Sequence, residues 1–249
     1  MSMRSFARGV LAVTGIVLAT TAALMVAQTI LAERSFRQMG EEISTVEDTD
    51  SGWNRLLQVN DETIGWLAVD GTAIDYPVVQ PGNSIPDDFY LTHDFWRRAD
   101  SGGCPYLDVR TQIDGRHLLV FGHRFEGTGR MFSSLSRAWD EDVFPSIGTA
   151  LLSAPNRVTA SFLPLCALRV DQDFPDIQRF DFEDDAAVRS WLEDIVEQAD
   201  VRREDAAIRI GRAHRALTLV TCAGARSGGR ERTLVVFTAD TAGNSVRTG

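Results

Sequence analysis

Apolar and polar positions change their rhythm twice along this chain. From Gly9 to Ala32 no charged residue occurs, over 24 positions, with Arg4 and Arg8 before the run and Glu33-Arg34 after it. A run of that length meets the roughly 20 residues needed to span a bilayer. It predicts one membrane span with the N-terminus in the cytoplasm and the rest of the chain outside. Residues 33–52 are polar and acidic and read as a stalk. Trp53, Leu56 and Leu57 then recur at helical spacing, which predicts a short amphipathic helix ending near Asn60.

From Thr63 the pattern becomes that of strands. Ile64–Val69 and Ile74–Val79 flank an Asp70-Gly71 turn, a hairpin signal. Pro77 restricts the second of them to an edge or a bulge. Further strands are expected at Phe89–Phe95, Cys104–Asp108, Arg116–Phe121, Thr149–Leu152 and Val158–Val170. Asp181–Ala199 reads as a helix with acidic residues at its start and a Val188, Leu192, Ile195, Val196 stripe. Leu217–Thr221 and Thr233–Thr238 are two more strands, joined by a loop rich in Gly and Arg. The fold class is therefore mainly β. Residues 241–249 read as a frayed tail.

Composition narrows the class. The chain has 249 residues, 44% hydrophobic and 24% charged, with a formal charge of −10. That balance fits a globular domain and argues against a nucleic-acid partner. All 25 basic residues are Arg. Cys104, Cys166 and Cys222 have no Cys-x-x-Cys spacing, so no metal or other cofactor is expected. An odd count outside the cell leaves at least one thiol unpaired; Cys104 and Cys166 are the pair that could close a disulfide. The Glu183-Asp184-Asp185 cluster lacks a calcium-loop pattern.

The chemistry gathers at three places. Thr218-Leu-Val-Thr-Cys222 ends one strand, and Arg232 begins the next. A hairpin would put the thiol opposite the guanidinium, which favours thiolate and can bind a developing oxyanion. A Cys nucleophile needs a proton-transfer partner, usually His. His123 follows Gly122 at the end of an apolar strand and opens a glycine loop. His93 is a rival within an aromatic stretch. Arg226 and Arg230 are rivals to Arg232, but both lie in the mobile loop.

With T-L-x-T-C, a preceding Gly-His and a following Arg, the chain resembles the sortases, cysteine transpeptidases of the Gram-positive cell surface, and its details resemble class B. The resemblance covers most of the chain outside the N-terminal segment, including Gly-Trp-Leu, Ile-Asp-Tyr-Pro-Val-Val, Tyr-Leu-Thr-His-Asp-Phe and Met131-Phe-Ser-Ser-Leu135. Arg124 stands where Asn is usual, and Phe121 where Tyr is usual. The resemblance implies a closed eight-stranded β-barrel with an N-terminal helix and a helix between two late strands. It divides the chain into a leader (1–8), a transmembrane anchor (9–32), a stalk (33–52), a catalytic domain (53–240) and a tail (241–249).

It also implies Cys222, His123 and Arg232 as catalytic residues, with Thr218, Leu219, Thr221 and Ala223 binding substrate. A backbone N–H near Cys222 would share the oxyanion with Arg232. The implied partners are surface proteins with a C-terminal sorting signal, and an amine acceptor on a peptidoglycan precursor or a pilin. Residues 9–32 would contact membrane lipid. Two other readings of the residues stay open: a cysteine hydrolase, and a surface binding module without turnover. Papain-like order is excluded, because there the Cys precedes the His.

Overall fold

In the computed structural model, residues 3–44, 49–125, 129–223 and 229–240 are described. β1 (Thr63–Val69) and β2 (Asp75–Val79) form the expected hairpin across Asp70-Gly71, with Ala68 opposite Asp75 and Trp66 opposite Pro77. On its other side β2 meets β3 (Tyr106–Leu107) only at Val79, so Pro77 sits where no second ladder needs its missing N–H. β3 pairs antiparallel with β4 (His117–Phe121), and β4 runs parallel to β8 (Ala213–Cys222). β8 and β9 (Glu231–Asp240) form the long late hairpin. β9 then pairs with β6 (Ala160–Asp171), and β5 (Ala150–Ser153) joins β6 to β1. Among the described residues, eight strands thus close a barrel in the order β5-β1-β2-β3-β4-β8-β9-β6, and the two-residue β7 (Val201–Arg202) adds to the outside of β6.

Two hydrophobic layers hold this arrangement. The barrel interior is filled by Leu67, Val78, Leu118, Val120, Phe132, Phe162, Leu217, Leu219, Val235 and Phe237, all buried. The outer face of β4, β8, β9 and β6 is covered by α3 (Asp185–Glu197), through Val188, Trp191, Leu192 and Ile195, with α4 (Ala206–Arg212) beside it.

Several elements differ from the sequence pattern. Phe89–Leu91 is a single 3-10 turn, not part of a strand. Tyr90 is buried there, its hydroxyl donating to Glu62 (2.5 Å) and accepting from Asn60 (2.9 Å), and Phe89 stacks on His93, four residues on. A strand would send those side chains to positions where neither contact is possible. α3 starts at Asp185 rather than Asp181, because Asp184 caps it by accepting the Ala187 N–H at 2.8 Å. β7 and α4, which carry little periodicity, had no counterpart in the pattern. The tail 241–249 lies outside the described residues.

The N-terminal reading needs the largest correction. α1 spans Met3–Ser44, continuing through the expected anchor and most of the expected stalk, and α2 (Thr49–Val59) follows. Among the described residues no helix is long and apolar enough to cross a membrane. The expectation of a single-pass anchor, with a cytoplasmic N-terminus and lipid around residues 9–32, is therefore overturned. The run lacks charge, but only 11 of its 24 residues are Val, Leu, Ile or Met; Ala, Thr, Gly and a Gln supply the rest. The stalk stretch is also no free linker. Phe36 is 4% exposed, edge-on to Tyr76 and stacked on Trp96, and Gly40 lies so close to Trp66 that a Cβ there would be 2.9 Å from the indole.

Phe36→Ala should therefore lower the unfolding free energy by about 3 kcal/mol, the usual cost of emptying an aromatic site. Urea titration of the full chain measures it; a change below about 0.5 kcal/mol, the scale of a neutral surface substitution, would remove Phe36 from the core.

Candidate active site

Alternation along three adjacent strands aims the site. On β8, Leu217 and Leu219 enter the barrel while Ala216 and Val220 face the α3 layer. On β9, Val235 and Phe237 point in while Leu234 and Val236 point out; on β4, Leu118 and Val120 point in while Leu119 points out. Successive strand residues face opposite sides. Extended to the strand ends, the outward series reaches Cys222 and Arg232. Gly122 occupies an inward position: a Cβ there would lie 2.6 Å from the buried Phe132 ring, so only glycine fits. His123 then follows in the outward series. The Gly122 N–H donates to the Val220 carbonyl at 3.0 Å, carrying the β4–β8 ladder one residue further.

Cys222 is thus on the strand between the one leading to His123 and the one carrying Arg232 at its second position. It stands directly opposite Arg232 in the β8–β9 register, as the hairpin reading required. Such antiparallel partners have Cα atoms about 5 Å apart, and neighbouring strands lie about 4.8 Å apart.

His123 is held at both its backbone and its ring. Its carbonyl accepts the Phe132 N–H at 2.9 Å, and its Nε2 lies 2.6 Å from the Leu91 carbonyl oxygen. A carbonyl only accepts, so Nε2 carries a proton and Nδ1 is the nitrogen left to exchange one. His93, the rival, is spent locally: stacked on Phe89 at 3.8 Å, with Nδ1 3.0 Å from the Phe89 carbonyl oxygen.

The arginines separate as clearly. Arg230 donates to both oxygens of Asp171 (3.0 and 2.6 Å) and to Asp173 (2.5 Å). Arg232 is oriented by the Gly229 carbonyl (2.6 Å), the Glu231 carbonyl (3.1 Å) and the Gln172 amide oxygen (3.1 Å). A guanidinium has five N–H donors, and these partners take three. Arg226 lies outside the described residues. One expected donor is engaged: the Ala223 N–H, next to the nucleophile, donates to the Glu231 carbonyl at 3.1 Å. Of the two donors expected, the Arg232 guanidinium is the one with N–H groups that these contacts leave over.

No family model matches the chain. It is similar to the curated sortase B of Listeria monocytogenes, 30% identical over 89 residues, a stretch covering 35% of each protein. It is also similar to the sortase B of Staphylococcus aureus, 24% identical over 183 residues, 73% of this chain and 71% of that one. Among solved structures, a Staphylococcus aureus sortase B–substrate complex superposes with a TM-score of 0.70 at 21% identity, covering 86% of this chain and 97% of the other. A Bacillus anthracis protein described as similar to sortase B gives 0.62 at 26% identity, covering 76% and 82%. In sequence and in fold the chain is similar to the class B sortases.

The T-L-x-T-C motif divides into one half-buried end, Cys222, and a buried support. Thr218 and Leu219 are 0% exposed and Thr221 2%, so the structure corrects their expected contact with substrate. Leu219 fills the barrel. The Thr218 hydroxyl donates to His117 Nε2 at 2.9 Å, while His117 Nδ1 donates to the Arg179 carbonyl at 2.8 Å. The Thr221 hydroxyl is buried without a partner among the described residues. Ala223 is half-buried at the strand end, where substrate contact remains open to it. Sequence reasoning missed His117 as the partner of Thr218, because the β4–β8 pairing that joins them links segments 101 residues apart.

The three thiols also differ. Cys104 and Cys166 are buried in different hydrophobic clusters, and all three cysteines are free, so no Cys104–Cys166 disulfide forms. Burial pushes both interior thiols well above the ordinary range, with Asp94 adding to the effect at Cys104. In the folded protein only Cys222 should react rapidly with iodoacetamide, the other two at least about a hundredfold more slowly, since the thiolate is the reactive form. Peptide mapping of the labelled chain tests this; comparable labelling at Cys104 or Cys166 would contradict the buried placement.

Burial lowers the His117 pKa to about 4, against an upward pull from the Arg179 carbonyl. Unfolded, the ring titrates near 6.5. Stability from neutral His117 is therefore complete above about pH 6.5 and declines as pH falls towards 4, where the unfolded chain binds one more proton. Unfolding free energy measured across that window should lose about one proton of slope in His117→Gln relative to the parent; identical slopes would contradict a neutral, buried ring.

Proposed function

We propose that this chain is a class B sortase, a cysteine transpeptidase that cleaves a C-terminal sorting signal of a surface protein and passes the acyl group to an amine. The observation carrying this reading is the central position of the Cys222 strand between the His123 and Arg232 strands. The Cys222 thiolate adds to the scissile carbonyl carbon, and the charge that develops on the carbonyl oxygen meets the Arg232 guanidinium. The C–N bond breaks as His123 Nδ1 gives its proton to the departing amine, leaving a thioester on Cys222. An incoming amine adds to that thioester and yields a proton back to Nδ1. The C–S bond breaks and Cys222 leaves as thiolate. The acceptor would be a peptidoglycan precursor or a pilin amine, both of which present a nucleophile to the thioester.

A fixed guanidinium can offer a planar pair of donors to the oxyanion, which an ammonium cannot copy. Arg232→Lys should lower kcat/KM by about 10²–10³-fold, the scale of losing one oxyanion donor. Arg230→Lys, whose side chain serves Asp171 and Asp173, should stay within about threefold, as expected of an exposed ion pair. Mass spectrometry of Cys222 after incubation with a library of sorting peptides supplies the substrate for these assays. A parent enzyme that forms no acyl-enzyme with any peptide would refute turnover, and one that yields only hydrolysed product despite added amines would make it a hydrolase.

A further inference from the structure

The residue after the nucleophile is tied on both sides. Its N–H donates to the Glu231 carbonyl on β9, and its carbonyl accepts a bond of 3.1 Å from Arg124 Nη1. Arg124 itself springs from a fixed base. It forms an antiparallel bridge with the buried Met131, and the next residue, Phe132, donates to the carbonyl of His123. The guanidinium thus links the strand end carrying His123 to the strand end carrying Cys222. Hydrogen bonds from a charged donor are stronger than neutral ones, so this link is a firm one.

We infer that Arg124 is a positioning residue for the nucleophile: its bond to the Ala223 carbonyl holds the peptide after Cys222 against the strand end that carries His123. The inference rests on the transpeptidase reading for its catalytic consequence, but not for its geometry. The β4–β8 ladder reaches its last backbone bond at Gly122 and Val220 among the described loop bonds, two residues short of Cys222. Beyond it, Arg124 supplies a side-chain bond across the same seam. Displacements of about 1 Å between reacting groups can cost 10²-fold in rate, which is what such a link would prevent. The link also keeps the thiol beside the imidazole that would take its proton, on which its reaction with an alkylating agent depends.

Arg124→Met keeps the aliphatic stem and removes the donor; Arg124→Lys keeps a donor able to reach a single carbonyl. Two measurements decide the matter. Alkylation of Cys222 by iodoacetamide at pH 7 needs no substrate. It should slow about tenfold in Arg124→Met and return to within about threefold of the parent in Arg124→Lys, with unchanged unfolding midpoints. With a productive peptide, kcat should fall about 10–100-fold in Arg124→Met while KM stays within about twofold, the signature of lost positioning. Parental alkylation and kcat in Arg124→Met would overturn the inference. A loss confined to KM would also overturn it, making Arg124 a substrate contact. If the parent forms no acyl-enzyme, the transpeptidase reading fails and the alkylation rates alone decide the role of Arg124.

Discussion

Everything at the catalytic end depends on the register of β8 with its two neighbours. Cys222 opposes Arg232 across one seam, and Phe121 opposes Val220 across the other. A one-residue slip in either would turn Cys222 into the barrel and bring Thr221 out, because strand side chains alternate faces. Burial on both faces resists that slip. Leu217 and Leu219 fill the interior, and Ala216 and Val220 lie under α3. The His117–Thr218 bond adds a polar lock on the β4 seam, where an unpaired ring or hydroxyl would be costly.

The outer layer decides what is left uncovered. α3 docks through Trp191, whose indole donates to the Asp176 carbonyl at 2.7 Å, and Arg116 pairs with Asp185 at its first turn. Phe180 stacks on His117, and Phe182 packs against Trp191. This cover ends before the strand ends that carry the reactive groups. Cys222 there is half-buried, whereas Cys166, beneath the same layer, is fully buried.

The corner where β6 meets β9 shows how neighbouring arginines acquire different work. The Gln172 N–H donates to the Arg230 carbonyl at 2.7 Å, and the Gln172 side chain accepts from Arg232. Arg230 is drawn outward by two carboxylates, an exposed arrangement of little energetic weight that still fixes the turn. Arg232 is thereby oriented from behind by neutral oxygens. These three contacts are with neutral oxygens, while the Asp171 carboxylate lies close enough to feel the Arg232 charge.

The strands β1 to β6, β8 and β9 could be read from apolar runs, alternation and turn residues, and the Cys222–Arg232 pairing followed from the short stretch between two apolar runs. Those features are local, and local periodicity survives in a single sequence. What tertiary structure alone decided is non-local. β4 lies beside β8 across about a hundred residues of chain, which brings His123 to Cys222 and gives Thr218 a buried histidine partner. The aromatic run after Asp88 folds into a turn because Glu62 and Asn60 wait for the Tyr90 hydroxyl. The Ala223 N–H and carbonyl are claimed by two different neighbours, a fact no motif contains. The N-terminal helix sets Phe36 into an aromatic pocket rather than leaving a stalk. In each case local pattern showed which residues could form a strand or carry the chemistry, while partners far along the chain decided exposure and pairing, because burial and hydrogen bonding are settled only when distant segments meet.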